Sequence, residues 1–176
     1  SFIANPQKQT LQRGLVGEEY QRVVEPDIAA LRSTLEELGI AENTLIIAMA
    51  DNGPMTHNPP PGAGLGEGMF RGGKGDFTEG GVRVPAAALW PGVIEPGQVA
   101  GDMIHQVDLF TTFARLAGAT KYVPRDRIID GIDQTALLLG GDTKGRRDYN
   151  FIYQGPALAA TTKDHYKMHW ISKDPS

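Results

Sequence analysis

Apolar residues recur at helical spacing in the early part of the chain. After a polar stretch over residues 1–17, apolar positions step by four and three residues, which places them on one face of a helix. The members of this stripe are Val24, Ile28, Leu31, Leu35 and Leu38. The pattern predicts a helix from Glu18 to a stop at Gly39. Pro26 lacks a backbone donor, so the helix is expected either to start or to kink there.

A continuous apolar run follows the predicted helix. Residues 45–50 read Leu-Ile-Ile-Ala-Met-Ala without alternation, which favours a strand covered on both faces, as in a parallel sheet. A helix followed by such a strand is typical of α/β proteins. The run ends at Asp51, Asn52 and Gly53, and ligands of open α/β sheets collect at the carboxyl ends of strands.

The rest of the chain divides into a loop, two further elements and a meander. Glycine and proline cluster in residues 53–81, which predicts a loop. A strand is predicted over residues 82–90, with Pro85 placing its start at a sheet edge or in a loop. A helix is predicted over residues 108–117, with Asp108 as its cap and Gly118 as its stop. Strand-like runs at 149–153, 157–162 and 165–170 predict an antiparallel meander. We therefore expect an α/β part, residues 1–146, and the start of a small β part, residues 147–176.

Composition narrows the classes of function. The chain has 17 basic and 21 acidic residues, a net charge of −4 and no basic tract, which argues against a nucleic-acid partner. Cysteine is absent, which excludes a disulfide or a thiolate zinc site among these residues but does not fix the compartment. No apolar run approaches the roughly 18 residues of a membrane span. The chain begins without Met or a signal-peptide pattern, so we expect a piece of a longer protein, and a periplasmic or secreted parent stays open.

Two features carry candidate chemistry. Asp51 and Asn52 offer carboxylate and amide oxygens at a strand end, and these donors suit a cation such as Ca²⁺ or Mg²⁺. A turn is the competing explanation, since Asn-Gly and Gly-Pro form turns by themselves. Lys74 lies among glycines, which allow an anion close to the backbone and to the ammonium group. The same segment matches a P-loop only until Gly75, where that motif needs Ser or Thr, so no nucleotide site is expected.

A set of short strings occurs along the chain in a fixed order. The strings are residues 38–45, Asp51-Asn52-Gly53, Arg71-Gly72-Gly73-Lys74-Gly75, Glu79-Gly80-Gly81-Val82-Arg83-Val84-Pro85, Trp90-Pro91-Gly92, Val107-Asp108-Leu109-Phe110 and Asp130-Gly131-Ile132-Asp133. Together they resemble the C-terminal half of a type I sulfatase, the arylsulfatase family of the alkaline-phosphatase-like superfamily. The resemblance implies an α/β fold, with part of a mixed sheet sandwiched by helices and the start of a small C-terminal antiparallel β subdomain.

The resemblance also implies a reaction and a site. A sulfatase is a sulfuric ester hydrolase that cleaves an S–O bond with a divalent cation, usually Ca²⁺. Asp51 and Asn52 would be ligands of that cation, and Asp51 would also accept a proton from the nucleophile. Lys74 would bind the sulfate and stabilise the leaving oxygen. Glu79 and Arg83, which lie four residues apart and predict a structural ion pair, would support the loop that carries Lys74.

The chain departs from the family at the nucleophile. The family motif, a Cys or Ser in a C/S-x-P-S-R context that is oxidised to formylglycine, is absent from these residues. We therefore expect the N-terminal half of the same protein to supply it, and the isolated chain to be inactive. Because the strand at 45–50 needs neighbours, self-association or binding of that half is also expected. Two alternatives stay open: a phosphoester or phosphonate-ester hydrolase of the same superfamily, and a non-catalytic truncated remnant.

Overall fold

The computed structural model of the protein describes Phe2–Ile3 and residues 18–55, 70–140 and 144–171. The chain divides into two compact units, Ser1–Val99 and Ala100–Ser176. Within the described ranges, no helix combines the length and the apolar character that a membrane span requires. The predicted boundary at residue 147 stays a prediction.

A long helix and a small sheet form the first unit. Helix α1 spans Glu18–Glu37 and therefore carries Pro26 in its interior. Gly39 follows with a φ of +67°, so the predicted helix and its glycine stop are confirmed. The apolar stripe is poorly covered, since Leu31 is 47% exposed and Leu38 65% exposed.

The strands of the first unit are β1 (Phe2–Ile3), β2 (Ile46–Met49) and β3 (Ala86–Leu89), in the order β1-β3-β2. Both pairings are antiparallel, with Ile46 opposite Leu89 and Met49 opposite Ala86. The parallel pairing predicted from the apolar run is therefore wrong for the neighbour that β2 has in the described part of the chain. Continuous apolar residues report coverage of a strand but not the direction of its neighbour.

The predicted loop and second strand differ from the structure at their junction. A short helix, α2, spans Glu79–Val82, so the strand predicted over 82–90 begins only at Ala86. Pro85 lies just before β3, where its carbonyl accepts a hydrogen bond from the Ala50 amide at 3.2 Å. Its missing donor therefore costs no ladder bond, and the loop position predicted for the proline is the one observed.

Two helices and a meander form the second unit. Helices α3 and α4 span Asp108–Leu116 and Thr135–Leu138. Strands β4 (Tyr149–Gln154), β5 (Ala157–Lys163) and β6 (Tyr166–His169) pair in chain order and antiparallel. The predicted helix and the predicted meander are therefore confirmed. The buried apolar residues of this unit are Leu137, Leu138, Ile152, Ala159 and Ala160.

Asp108 is the first residue of α3 and does not cap it, contrary to the prediction from the sequence. Its carboxylate is fully buried and is bound by the Arg147 guanidinium, whose Nε donates to Oδ2 at 2.8 Å and whose Nη2 donates to Oδ1. The backbone amides of His105 and Ile132 donate to the same carboxylate at 2.9 and 2.8 Å. Arg147 Nη2 also donates to the Asp130 carbonyl at 2.7 Å. This buried pair ties the start of α3 to the 130–132 loop and to the residues that precede β4.

The charges of this pair are set by opposing effects. Burial raises the pKa of Asp108, but the hydrogen bonds from Arg147 and from the amides of Ile132 and His105 outweigh it, so the pKa is lowered. The hydrogen bond to Asp108 raises the pKa of Arg147. Both groups are therefore charged in the folded protein at neutral pH.

Candidate functional site

Two backbone segments meet beyond the carboxyl end of β2. One carries Asp51 and Asn52, and the other runs from Phe70 to Arg83. The Gly53 amide donates to the Gly81 carbonyl at 3.0 Å, and the Lys74 amide donates to the Pro54 carbonyl at 2.8 Å. The structure therefore brings the backbone of Lys74 next to the segment that carries the two predicted cation ligands.

Glycine permits this close approach. A Cβ atom on Gly53 would lie 1.7 Å from the Gly80 carbonyl oxygen. A Cβ on Gly80 would lie 2.1 Å from the Gly72 oxygen, and one on Gly81 would lie 2.1 Å from the Asp76 oxygen. Since these distances are far below van der Waals contact, a side chain on Gly53 would push the two segments apart, and one on Gly80 or Gly81 would disrupt the packing within the 70–83 segment.

Lys74 occupies the second position of a four-residue turn. The Asp76 amide donates to the Gly73 carbonyl at 2.9 Å, which closes a turn over residues 73–76. Gly75, at the third position, has a φ of +89°, a conformation that type II turns require and that glycine adopts without strain. The side chain of Lys74 is exposed and is thus accessible to an anion.

Asp51 and Asn52 present oxygen donors at the strand end. The Asn52 amide nitrogen donates to Asp51 Oδ1 at 2.9 Å and to the Gly53 carbonyl at 3.3 Å. The amide oxygen is the other polar atom of that side chain, and it is the atom that could act as a cation ligand. Asp51 is exposed and Asn52 is half-buried.

The donor set fits Ca²⁺ in kind but not in number. Carboxylate and amide oxygens are the hard ligands that Ca²⁺ prefers. A Ca²⁺ ion takes about six to eight such oxygens, more than these two side chains provide. Across residues 18–55, 70–140 and 144–171, no group of three or more acidic or histidine side chains is placed to hold a metal ion. Asp51 and Asn52 alone therefore offer too few oxygens for a complete Ca²⁺ site, and their role as cation ligands stays a prediction.

The other residues singled out in the sequence lie in different surroundings. Arg83 Nη1 and Glu79 Oε2 are 3.6 Å apart across α2, so the predicted ion pair is confirmed. The Arg83 guanidinium also lies 4.9 Å from the centre of the Phe70 ring. His105 belongs to the second unit, where burial and the charge of Arg147 lower its pKa.

Asp76 and Thr78 also belong to this region, and neither was predicted from the sequence. Asp76 Oδ2 accepts a hydrogen bond from the Gly73 amide at 2.9 Å, and Thr78 Oγ1 donates to the Arg71 carbonyl at 2.6 Å. The signal that would have found Asp76 is the turn composition Gly-Lys-Gly-Asp, in which a glycine at the third position predicts a type II turn.

Known proteins that are similar to this chain are sulfatases. The protein-family model described as Sulfatase matches residues 25–119. The steryl-sulfatase of Rattus norvegicus is 40% identical over 136 residues, which are 76% of this chain and 23% of that protein. The N-acetylgalactosamine-6-sulfatase of Canis lupus familiaris is 38% identical over 169 residues, which are 96% of this chain and 31% of that protein.

A solved structure agrees with these matches. The PsFucS1 sulfatase from Pseudoalteromonas sp. superposes with a TM-score of 0.74 at 39% identity, over 81% of this chain and 28% of that one. The chain thus spans about a quarter to a third of the length of these relatives.

Proposed function

This chain belongs to the sulfatase family, with the alkaline-phosphatase-like α/β fold of a type I sulfatase, and on that premise we propose that it forms the C-terminal part of a sulfuric ester hydrolase. The observation that carries the proposal is the hydrogen bond from the Lys74 amide to the Pro54 carbonyl. It brings the residue proposed to bind sulfate next to the segment that carries Asp51 and Asn52.

Each of the three residues has one part in the proposed reaction. Asp51 and Asn52 hold the divalent cation through their carboxylate and amide oxygens. When bound, Ca²⁺ supplies positive charge against the sulfate oxygens. Asp51 accepts the proton of the attacking nucleophile. Lys74 binds the sulfate and stabilises the negative charge that develops on the ester oxygen as the S–O bond breaks.

The nucleophile comes from another part of the protein in this proposal. The 176 residues contain no cysteine and no C/S-x-P-S-R sequence, so no formylglycine can form in that context within them. The chain supplies cation ligands and an anion ligand, and the N-terminal half of the same protein supplies the attacking group. We propose accordingly that the isolated chain is inactive.

Substitution of Lys74 in the full-length protein tests the proposal. Lys74→Ala is expected to lower kcat/KM for an aryl sulfate by about 10²–10³-fold, because a charged group that stabilises the transition state is lost. Lys144→Ala, which removes an exposed lysine of the second unit, is the matched control and should leave the rate unchanged. Wild-type kinetics in the Lys74→Ala variant would contradict the proposed role.

The same assay separates the proposal from the alternative within the superfamily. Aryl sulfate and aryl phosphate are offered side by side to the full-length enzyme, with and without added Ca²⁺. Faster turnover of the sulfate, abolished by a chelator and restored by Ca²⁺, is the expected result. A preference for the phosphate would favour the phosphoester hydrolase.

A further inference from the structure

Two hydrogen bonds between Asp76 and Gly73 close the turn that carries Lys74. Its amide donates to the Gly73 carbonyl, and its carboxylate Oδ2 accepts from the Gly73 amide, both at 2.9 Å. The main-chain bond defines the turn, and the side-chain bond removes the freedom that a singly closed glycine turn would retain. The conformation of the lysine backbone therefore depends on an acceptor at position 76.

The side chain of Asp76 is packed back over the turn. A Cβ built on Gly72 would lie 2.6 Å from Asp76 Oδ2 and 2.1 Å from Thr78 Oγ1. Asp76 and Thr78 thus fill the space above Gly72, and Thr78 also holds the Arg71 carbonyl. Because Gly72 carries no Cβ, the Asp76 carboxylate has room to lie over the turn and to accept from the Gly73 amide.

Asp76 is also linked to the cation segment. Its carbonyl oxygen lies 2.1 Å from the place where Gly81 would carry a Cβ, so the two backbones are in contact. Gly81 in turn accepts the hydrogen bond from the Gly53 amide at 3.0 Å. A shift of the turn at Asp76 would therefore move Lys74 relative to Asp51.

A carboxylate two residues from a sulfate-binding lysine needs an explanation, because its negative charge repels the anion. In the turn, its Oδ2 serves as a hydrogen-bond acceptor for the Gly73 amide at 2.9 Å. We propose that Asp76 is a positioning residue, which fixes the turn that holds Lys74 and does not itself touch the substrate. This inference rests on the proposed function of Lys74 in sulfate binding.

Two substitutions in the full-length enzyme separate acceptor from charge. Asp76→Ala removes the acceptor and is expected to raise KM for an aryl sulfate, and the inhibition constant of inorganic sulfate, each by about tenfold or more, since small misplacements are costly at reacting centres. Asp76→Asn keeps an oxygen acceptor and should restore both constants to within about threefold of wild type. Asp126→Ala, an exposed aspartate paired with its neighbour Arg127, is the control for loss of one negative charge.

The split between KM and kcat excludes a purely structural effect. Loss of folded enzyme lowers kcat at unchanged KM, so an Asp76→Ala variant with that behaviour would overturn the inference. A variant pair in which Asp76→Asn is as impaired as Asp76→Ala would overturn it as well, because the acceptor would then not be what matters.

A double substitution distinguishes this inference from the proposed function. If Asp76 acts through Lys74, adding Asp76→Ala to Lys74→Ala has no further effect on KM. Additive losses would overturn the positioning role. Wild-type kinetics in the Lys74→Ala variant would instead contradict the proposed role of Lys74 in sulfate binding. If Lys74→Ala is impaired and Asp76→Ala is normal, only the positioning role of Asp76 is contradicted.

Discussion

At the scale of single residues, Asp108 and Arg147 form a buried ion pair with two hydrogen bonds between the side chains. The carboxylate has no exposed surface and accepts four hydrogen bonds, from the guanidinium and from the amides of His105 and Ile132. A charge so placed stabilises the fold only while its partner is present.

Removal of that charge tests its contribution. Asp108→Asn is expected to destabilise the full-length protein by about 3–5 kcal/mol, because Arg147 is left buried beside a neutral group. Thermal unfolding at neutral pH measures the change, with the exposed Asp126→Asn as control. Equal midpoints for the two variants would show that the pair contributes nothing.

Acid should weaken the same region in two steps. The folded pKa of His105 lies below its ordinary 6.5, so its contribution is present above pH 6.5 and is lost as the pH falls through the folded value. The folded pKa of Asp108 lies below its ordinary 3.8, so its contribution is lost as the pH falls through that lower value. Unfolding midpoints measured from pH 8 to pH 2 should fall accordingly, and Asp108→Asn should abolish the second step.

At the scale of elements, α2 shows why a glycine-rich segment becomes helical. Glycine is a poor helix former, yet Gly80 and Gly81 both lie in Glu79–Val82. Their backbones pack against Phe70, Gly72, Gly73 and Asp76 at distances that exclude a Cβ. Tertiary contact therefore outweighs propensity, since the missing side chains let this helix pack closely against residues 70–76.

Gly80→Ala is expected to disrupt this contact. The added Cβ would meet three carbonyl oxygens at 2.1 to 2.6 Å, which is expected to cost about 1–3 kcal/mol of stability and to impair turnover through Lys74. Gly101→Ala is the matched control, because a Cβ there meets nothing within 4 Å. Circular-dichroism melts and aryl sulfate assays of both variants measure the difference, and an active, stable Gly80→Ala protein would contradict the packing argument.

Local pattern predicted some elements and could not predict others. The apolar periodicity of α1 and the short runs of the meander are local, so both were predicted close to their observed bounds. The antiparallel pairing of β2 with β3 depends on a return of the chain through residues 53–85, which no local pattern encodes. Asp51, Asn52 and Lys74 were selected by residue type and resemblance, whereas Asp76 emerges only from the folded turn.

At the scale of the whole molecule, the chain spans 31% of the dog N-acetylgalactosamine-6-sulfatase. In the described part of its sheet, β2 lies at the edge and pairs with a neighbouring strand on one side. An unpaired strand edge promotes association with another strand. We therefore expect the isolated chain to self-associate, or to bind the N-terminal half when that is supplied. A strictly monomeric chain in sedimentation at all concentrations, with and without that half, would contradict this.

Sulfatase activity is expected only when the chain is combined with the N-terminal half. The purified 176-residue chain is expected to show no turnover of a chromogenic aryl sulfate, because the proposed nucleophile lies outside it. Mixing it with a matured N-terminal half should restore part of the full-length activity. Turnover by the chain alone would show that its own residues suffice.

The hydrogen bonds from Gly53 to Gly81 and from Lys74 to Pro54 join the two ends of the stretch between residues 55 and 70. Closing a longer loop costs little, about 0.6 kcal/mol for each doubling of its length. That stretch is therefore free to lengthen or shorten while the spacing of the site residues stays the same. Relatives in which this stretch differs in length are therefore expected to keep the same distances between the backbones of Lys74 and of the segment with Asp51 and Asn52.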